Sequence, residues 1–148
     1  MLVRVPTKYP EKEILSLVSR HKEWIEKAMK KRIIKNEKYP EPNNEEIELL
    51  RKRAGDIIPE KVKYFSKLTG LYPIGIKITG AKKRFGSCSG RNSLCFSYLL
   101  MRYPDDCIDY VVLHEIIHIK HHNHSRDFYD LLGHFMPDYK SREKKLKY

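Results

Sequence analysis

His114-Glu115-Ile116-Ile117-His118, followed by His124, is the stretch on which both fold and chemistry turn. On a helix, residues four apart share one face and lie about 6 Å apart along the axis, so His114 and His118 can grip one metal ion together. Glu115 sits about 100° further round, where it reaches a water activated by the metal instead of the metal itself. If the helix continued, His122 would share the face of His114, yet roughly 12 Å along the axis. No single zinc spans that distance, because its bonds to nitrogen are only about 2.0–2.1 Å. The chain therefore has to turn after His118 and bring a later histidine back. Asn123 tolerates the left-handed conformation that ends helices and Ser125 can N-cap a following one, which selects His124 as the third ligand.

Five-residue HExxH patterns also arise by chance, and the surrounding residues separate the two cases. Pro104 to Lys120 reads as one helix, with Pro104 in its first turn and Asp105 and Asp106 at the positive end of its dipole. Cys107, Ile108, Val111, Val112, Leu113, Ile116, Ile117 and Ile119 make it apolar almost all round, the mark of a buried helix. Two histidines and a glutamate buried there have to be paired or bound, because an isolated buried charge is costly.

A chain of 148 residues, 41% of them hydrophobic, is long enough for one domain with its own core. No apolar run of membrane-spanning length and no signal-peptide pattern occurs, so a soluble, unsecreted, cytoplasmic protein with no membrane partner is expected. Cys88, Cys95 and Cys107 are odd in number and form no CxxC pair, which argues against a disulfide framework or a four-cysteine zinc site and suits a reducing compartment. Thirty Lys and Arg against nineteen Asp and Glu give a formal charge of +11. That field attracts nucleic acid, nucleotides or acidic proteins, although spread-out basic residues are more often solvated helix faces. The clusters are Lys30-Lys31-Arg32, Arg51-Lys52-Arg53, Lys82-Lys83-Arg84 and the tail from Lys140 to Lys147.

Towards the N-terminus, Ile14, Leu17, Val18, His21, Trp24, Ile25 and Ala28 form a helical stripe over 11–32, with His21 expected as a packed, hydrogen-bonded histidine. Residues 33–43, proline-bearing and charged, read as a linker. Asn43 or Asn44 caps a second helical region that runs to Leu68 and stops at Gly70, divided or kinked at Gly55 and Pro59. Ile74, Ile76 and Ile78 alternate as in a strand, 80–92 is a loop, and Leu94 to Leu99 is a second strand. Phe128, Leu131, Leu132 and Phe135 give one more apolar helical face, ended by Pro137. No internal repeat is evident.

The spacing of His124 from the pair equals that of the third histidine in the extended metzincin motif, with His121 in place of the motif's glycine. Arg84-Phe85-Gly86-Ser87-Cys88-Ser89, Asp109 to Glu115, Asn123-His124-Ser125 and Phe128-Tyr129 together resemble the YgjP-like metallopeptidases, which are related to the SprT-like and other zincins. The resemblance extends back through Glu23-Trp24-Ile25 and Val3-Arg4-Val5-Pro6. It implies an α+β, zincin-like fold: a small β-sheet packed on a buried HExxH helix, with N-terminal helices. It also implies zinc on His114, His118 and His124, with Glu115 as catalytic base. The expected organisation is a single domain over 1–148, with 1–42 as N-terminal helix and linker and 43–148 as the core.

This chain departs from the family pattern at Phe85 and Tyr129, where tryptophan is usual, and near Ser97, where an asparagine is usual. Members also usually begin with further β-rich sequence, so a short version or a truncated N-terminus is expected here. By resemblance, Arg84 to Ser89 lies near the zinc. There Arg84, Ser87, Cys88 or backbone amides meet substrate or a developing oxyanion; the alternative is a tight turn with Gly86 for backbone freedom and Cys88 buried.

The expected activity is peptide hydrolysis, with Glu115 taking a proton from the attacking water and an extended peptide or protein substrate held on a sheet edge, the Leu94 to Leu99 strand. Two alternatives remain. One is a zinc-dependent nucleoside triphosphate pyrophosphatase using Lys82, Lys83 and Arg84, although no GxxxxGK[ST] loop is present. The other is a nucleic-acid-binding module with a non-catalytic zinc, against which three histidines and a glutamate argue, because structural zinc sites are normally closed by four ligands.

Overall fold

The computed structural model describes residues 10–38 and 40–146; Val3-Arg4-Val5-Pro6, the side chains of Lys31 and Arg32, and Lys147 of the basic tail lie outside the described part. The chain divides into two compact units, 1–41 and 42–148.

In the first unit, α1 (Glu11–Arg20) and α2 (Lys22–Lys38) replace the single helix expected over 11–32. The break is at His21, with φ −104° and ψ 12°. His21 is exposed, not packed, and its Nδ1 donates to the Leu17 carbonyl of the preceding turn at 2.9 Å. No residue of α1 is buried, and Trp24 is 69% exposed. The expected linker is helical as far as Lys38, because the prolines at 40 and 42 stand beyond it and the charged residues before them are good helix formers.

In the second unit, α3 (Asn44–Thr69) begins where the Asn43 side chain accepts the Glu46 amide at 2.8 Å and ends at Gly70, left-handed at φ 72°. It runs unbroken through Gly55 and Pro59. Leu50, Ala54, Ile58, Val62 and Phe65 keep one buried face across that point. Burying this stripe outweighs the roughly 3 kcal/mol that an internal proline costs.

Strands β1 (Gly75–Thr79), β2 (Gly86–Cys88) and β3 (Ser93–Ser97) form a sheet in the order β1-β3-β2, with β1 parallel and β2 antiparallel to β3. The loop expected over 80–92 therefore contains a strand. The second expected strand is the central one, its Leu94 and Phe96 fully buried, so it cannot offer an edge to a substrate. The edges are β1 and β2, of which β2 is the one that lines the cavity with the histidines. Phe85 and Ser97 are joined by a backbone hydrogen bond, as are Ser89 and Ser93. By antiparallel alternation, the backbone groups of Gly86 and Cys88 then point away from β3, to the outer side. The β2–β3 turn needs one left-handed residue, supplied by Asn92 at φ 60°.

Ser97 leads into a 3-10 turn at Tyr98–Arg102; its hydroxyl donates to the Ala81 carbonyl at 2.8 Å and accepts from the Leu99 amide. The residue near the family's usual asparagine is thus a buried structural bond.

Helix α4 (Asp105–Ile117) is buried along most of its length. Its acidic first turns are tied to both neighbours. Lys61 of α3 lies 2.9 Å from Asp105 and 2.5 Å from Asp109. From α6 (Tyr139–Leu146), Arg142 reaches Asp109 and Lys145 pairs with Asp106. This short helix stands where only a basic tail was expected, after α5 (Arg126–Phe135). No helix of the described residues is long and apolar enough to cross a membrane.

Candidate active site

Helix α4 ends three residues short of the expected Lys120. Amides of Ile119 and Lys120 bond the carbonyls of Ile116 and Ile117 at 3.0 Å, the tighter i to i−3 pattern that closes a helix. His118 is the C-cap, and its Nδ1 donates to the His121 carbonyl at 2.9 Å. That bond orients the ring so that Nε2 faces His114. The chain then returns without a left-handed residue at Asn123, because Asn92 is the non-glycine with positive φ among the described residues. Ser125 is the N-cap of α5, though its side chain makes no capping bond.

The turn brings His124 back. Its Nε2 lies 3.0 Å from His114 Nε2, which in turn lies 3.2 Å from His118 Nε2. Tetrahedral zinc with bonds of about 2.0–2.1 Å places its nitrogens about 3.3 Å apart. The three ligand atoms all fall within 4.8 Å of one another, and Cys88 is not in the group. Burial drives the His114 imidazole down to about 3, with His118 and His124 acting in the same direction. Burial also lowers His118, against the opposing bond to His121. Both are neutral at pH 7, the form that binds a metal.

Phe128 is the residue that sequence reasoning placed on an apolar face without seeing its task. It is fully buried, and its ring lies 4.6–4.9 Å from those of all three histidines. Phe128→Ala is expected to cost about 3–5 kcal/mol in denaturant unfolding of the metal-free protein and to weaken metal binding. A Phe128→Ala protein with unchanged midpoint and metal affinity would remove this packing role.

Glu115 is 7% exposed and lies on a different face from the histidine pair. Burial raises its carboxyl to about 7, with the Arg84 charge pulling the other way. Strand β2 lies directly on it: a Cβ on Gly86 would come within 2.6 Å of Glu115 Cγ and Oε1. Gly86 does not have a positive φ, so close approach, not backbone freedom, explains the glycine.

A cavity of about 320 Å³ opens over the three histidines and Glu115. Arg84, Gly86, Ser87 and Cys88 form its β2 wall, with His122 also at its lining. The loop residues singled out from the sequence are thus brought to the site. Burial and then Glu115 push the Cys88 thiol up, so it stays protonated at pH 7.

Two solved structures share the fold. The metallopeptidase zymogen of Pyrococcus abyssi abylysin is 16% identical, with a TM-score of 0.55 over 61% of this chain and 91% of that one. The metallopeptidase zymogen of Methanocaldococcus jannaschii jannalysin is 24% identical, with a TM-score of 0.54 over 60% of this chain and 92% of that one. These likenesses show a zincin-like α+β fold. No curated protein matches the chain. Residues 32–148 match the family profile described as YgjP-like, metallopeptidase domain, and with most of its length so matched the chain belongs to the YgjP-like metallopeptidase family.

Proposed function

We propose that the protein is a zinc-dependent peptidase in which His114, His118 and His124 hold the metal and Glu115 is the general base. The observation that carries this reading is the convergence of three imidazole nitrogens beside a buried carboxylate. Zinc in such a three-histidine set supplies Lewis acidity and lowers the pKa of a water it binds. Glu115 accepts the proton of the attacking water and passes it to the leaving amine, a task suited to a carboxyl whose burial brings it near neutrality. The outer edge of β2 pairs with an extended peptide through the backbone of Gly86 and Cys88. Arg84 and the Ser87 and Cys88 side chains, on the cavity wall, are the donors available to a developing oxyanion.

The pyrophosphatase alternative draws support from Arg84 at the cavity, and assaying phosphate release from nucleotides tests it. Nucleic-acid binding through the basic surface is weakened by Arg142 and Lys145, which pair with acids of α4. The unpaired state of Cys88, Cys95 and Cys107 supports a reducing compartment such as the cytoplasm.

Elemental analysis of the purified protein beside His118→Ala tests the metal assignment. About one zinc per chain is expected in the wild type and a large loss in the variant. A wild type that stays metal-free after zinc is offered would overturn the proposal.

A further inference from the structure

The formal charge of +11 is not spread evenly: residues 61–104 hold nine Lys and Arg and no Asp or Glu, so nearly all of the excess comes from this one stretch. It runs from the second half of α3 through the whole sheet to the 3-10 turn. Two of its cations are neutralised by acids from outside it, Lys61 by Asp105 and Asp109 and Arg102 by Glu46. Lys77, Lys83 and Arg91 are exposed and make no ion pair among the described residues.

The sheet sets where these three stand. Leu94 and Phe96 are fully buried, and Gly86, opposite Phe96, faces Glu115 of α4. By alternation, the other face of the sheet carries Lys77, Thr79, Ser93 and Cys95. Lys77 is in the middle of that face, in register with Cys95. Arg91 lies in the β2–β3 turn, at the Ser93 end, and Lys83 in the β1–β2 loop, at the Ser97 end. At about 3.3 Å per residue, those ends are about 13 Å apart.

We infer that this outer face of the sheet binds the phosphate backbone of duplex nucleic acid, without reading its sequence. A backbone strand carries one negative charge per about 3.4 Å, so the face spans about four phosphates, with a cation at each end and one between them. No acid of the sheet or its loops opposes the field. The small, mostly polar side chains of Thr79, Ser93 and Cys95 let a backbone approach closely. They offer no aromatic ring on which an unpaired base could stack, which favours a duplex over a single strand, and no large apolar group to enter a membrane. The inference is independent of the peptidase reading, because none of Lys77, Lys83 and Arg91 lines the cavity over the histidines.

The test is fluorescence anisotropy of a labelled 20-base-pair DNA duplex titrated with the full chain over a range of salt concentrations. Binding is expected at low salt, with a slope of log affinity against log salt of about −3, and to duplexes of different sequence alike. Lys77→Glu/Arg91→Glu should weaken it about tenfold or more, and the milder Lys77→Gln/Arg91→Gln should flatten the slope by about 2, so that either variant suffices if the other fails to fold. Lys52→Glu/Lys144→Glu removes the same net charge at exposed positions outside the stretch and should weaken binding much less. Glu115→Gln should bind as the wild type does. No binding at low salt, or equal losses in the two charge-reversed pairs, would overturn the inference. Poly-glutamate or anionic lipid vesicles competing as well as unlabelled duplex would overturn it too, by showing a surface that takes any polyanion.

Discussion

Glu115→Gln is expected to keep the metal and lose about 10²–10⁴-fold in turnover. The amide matches the carboxylate in size, so packing beneath β2 is preserved, and the converging histidine nitrogens that would hold the metal are untouched. What disappears is the ability to take a proton. Metal analysis and peptide turnover on the same preparation check this, and unchanged turnover would remove Glu115 from its role. The pH profile gives a second handle. A base works only when deprotonated, so activity rises as pH climbs through the Glu115 titration. The Arg84 charge lowers that carboxyl, so Arg84→Ala should move the rising limb to higher pH. A shift to lower pH would contradict the electrostatic contact.

Gly86→Ala is expected to reduce turnover by about 10²-fold while metal content stays at the wild-type level. The new methyl would sit 2.6 Å from Glu115 Cγ and Oε1 and 2.8 Å from Cδ, closer than real Cβ contacts come. Either β2 lifts off α4 or the carboxylate swings away, and both move the proposed base relative to the histidine nitrogens. A stability loss of about 1–3 kcal/mol should accompany the overpacking. Gly90→Ala is the control, because its Cβ would meet nothing within 4 Å and its φ is not left-handed. Full activity in Gly86→Ala would show that the strand does not hold the carboxylate in place.

The grouping of the three histidines was readable from the chain because its spacing is local. His114, Glu115 and His118 follow from helical periodicity, and the impossibility of His122 on a continuing helix pointed to His124. The device that makes the turn was misread: the close of α4 uses short i to i−3 bonds and the His118–His121 contact, with no left-handed Asn123. The caps of α3 were legible for the same local reason, whereas Pro59 does not divide the helix, because the buried stripe that overrides it is a sum over contacts with distant segments.

Residue types and their spacing were enough to predict a buried helix carrying two histidines on one face, a glutamate beside them and a returning third histidine, since each depends on neighbours within about ten positions. Strand β2 was hidden, because three residues with glycine first carry no β pattern and become a strand through pairing with β3. The same assembly decided that β3 is central and β2 is an edge, that Gly86 is a steric requirement of Glu115, and that Phe128 packs against all three histidines. These are contacts between segments far apart along the chain. Their energies come from burial and close packing, which no local periodicity encodes.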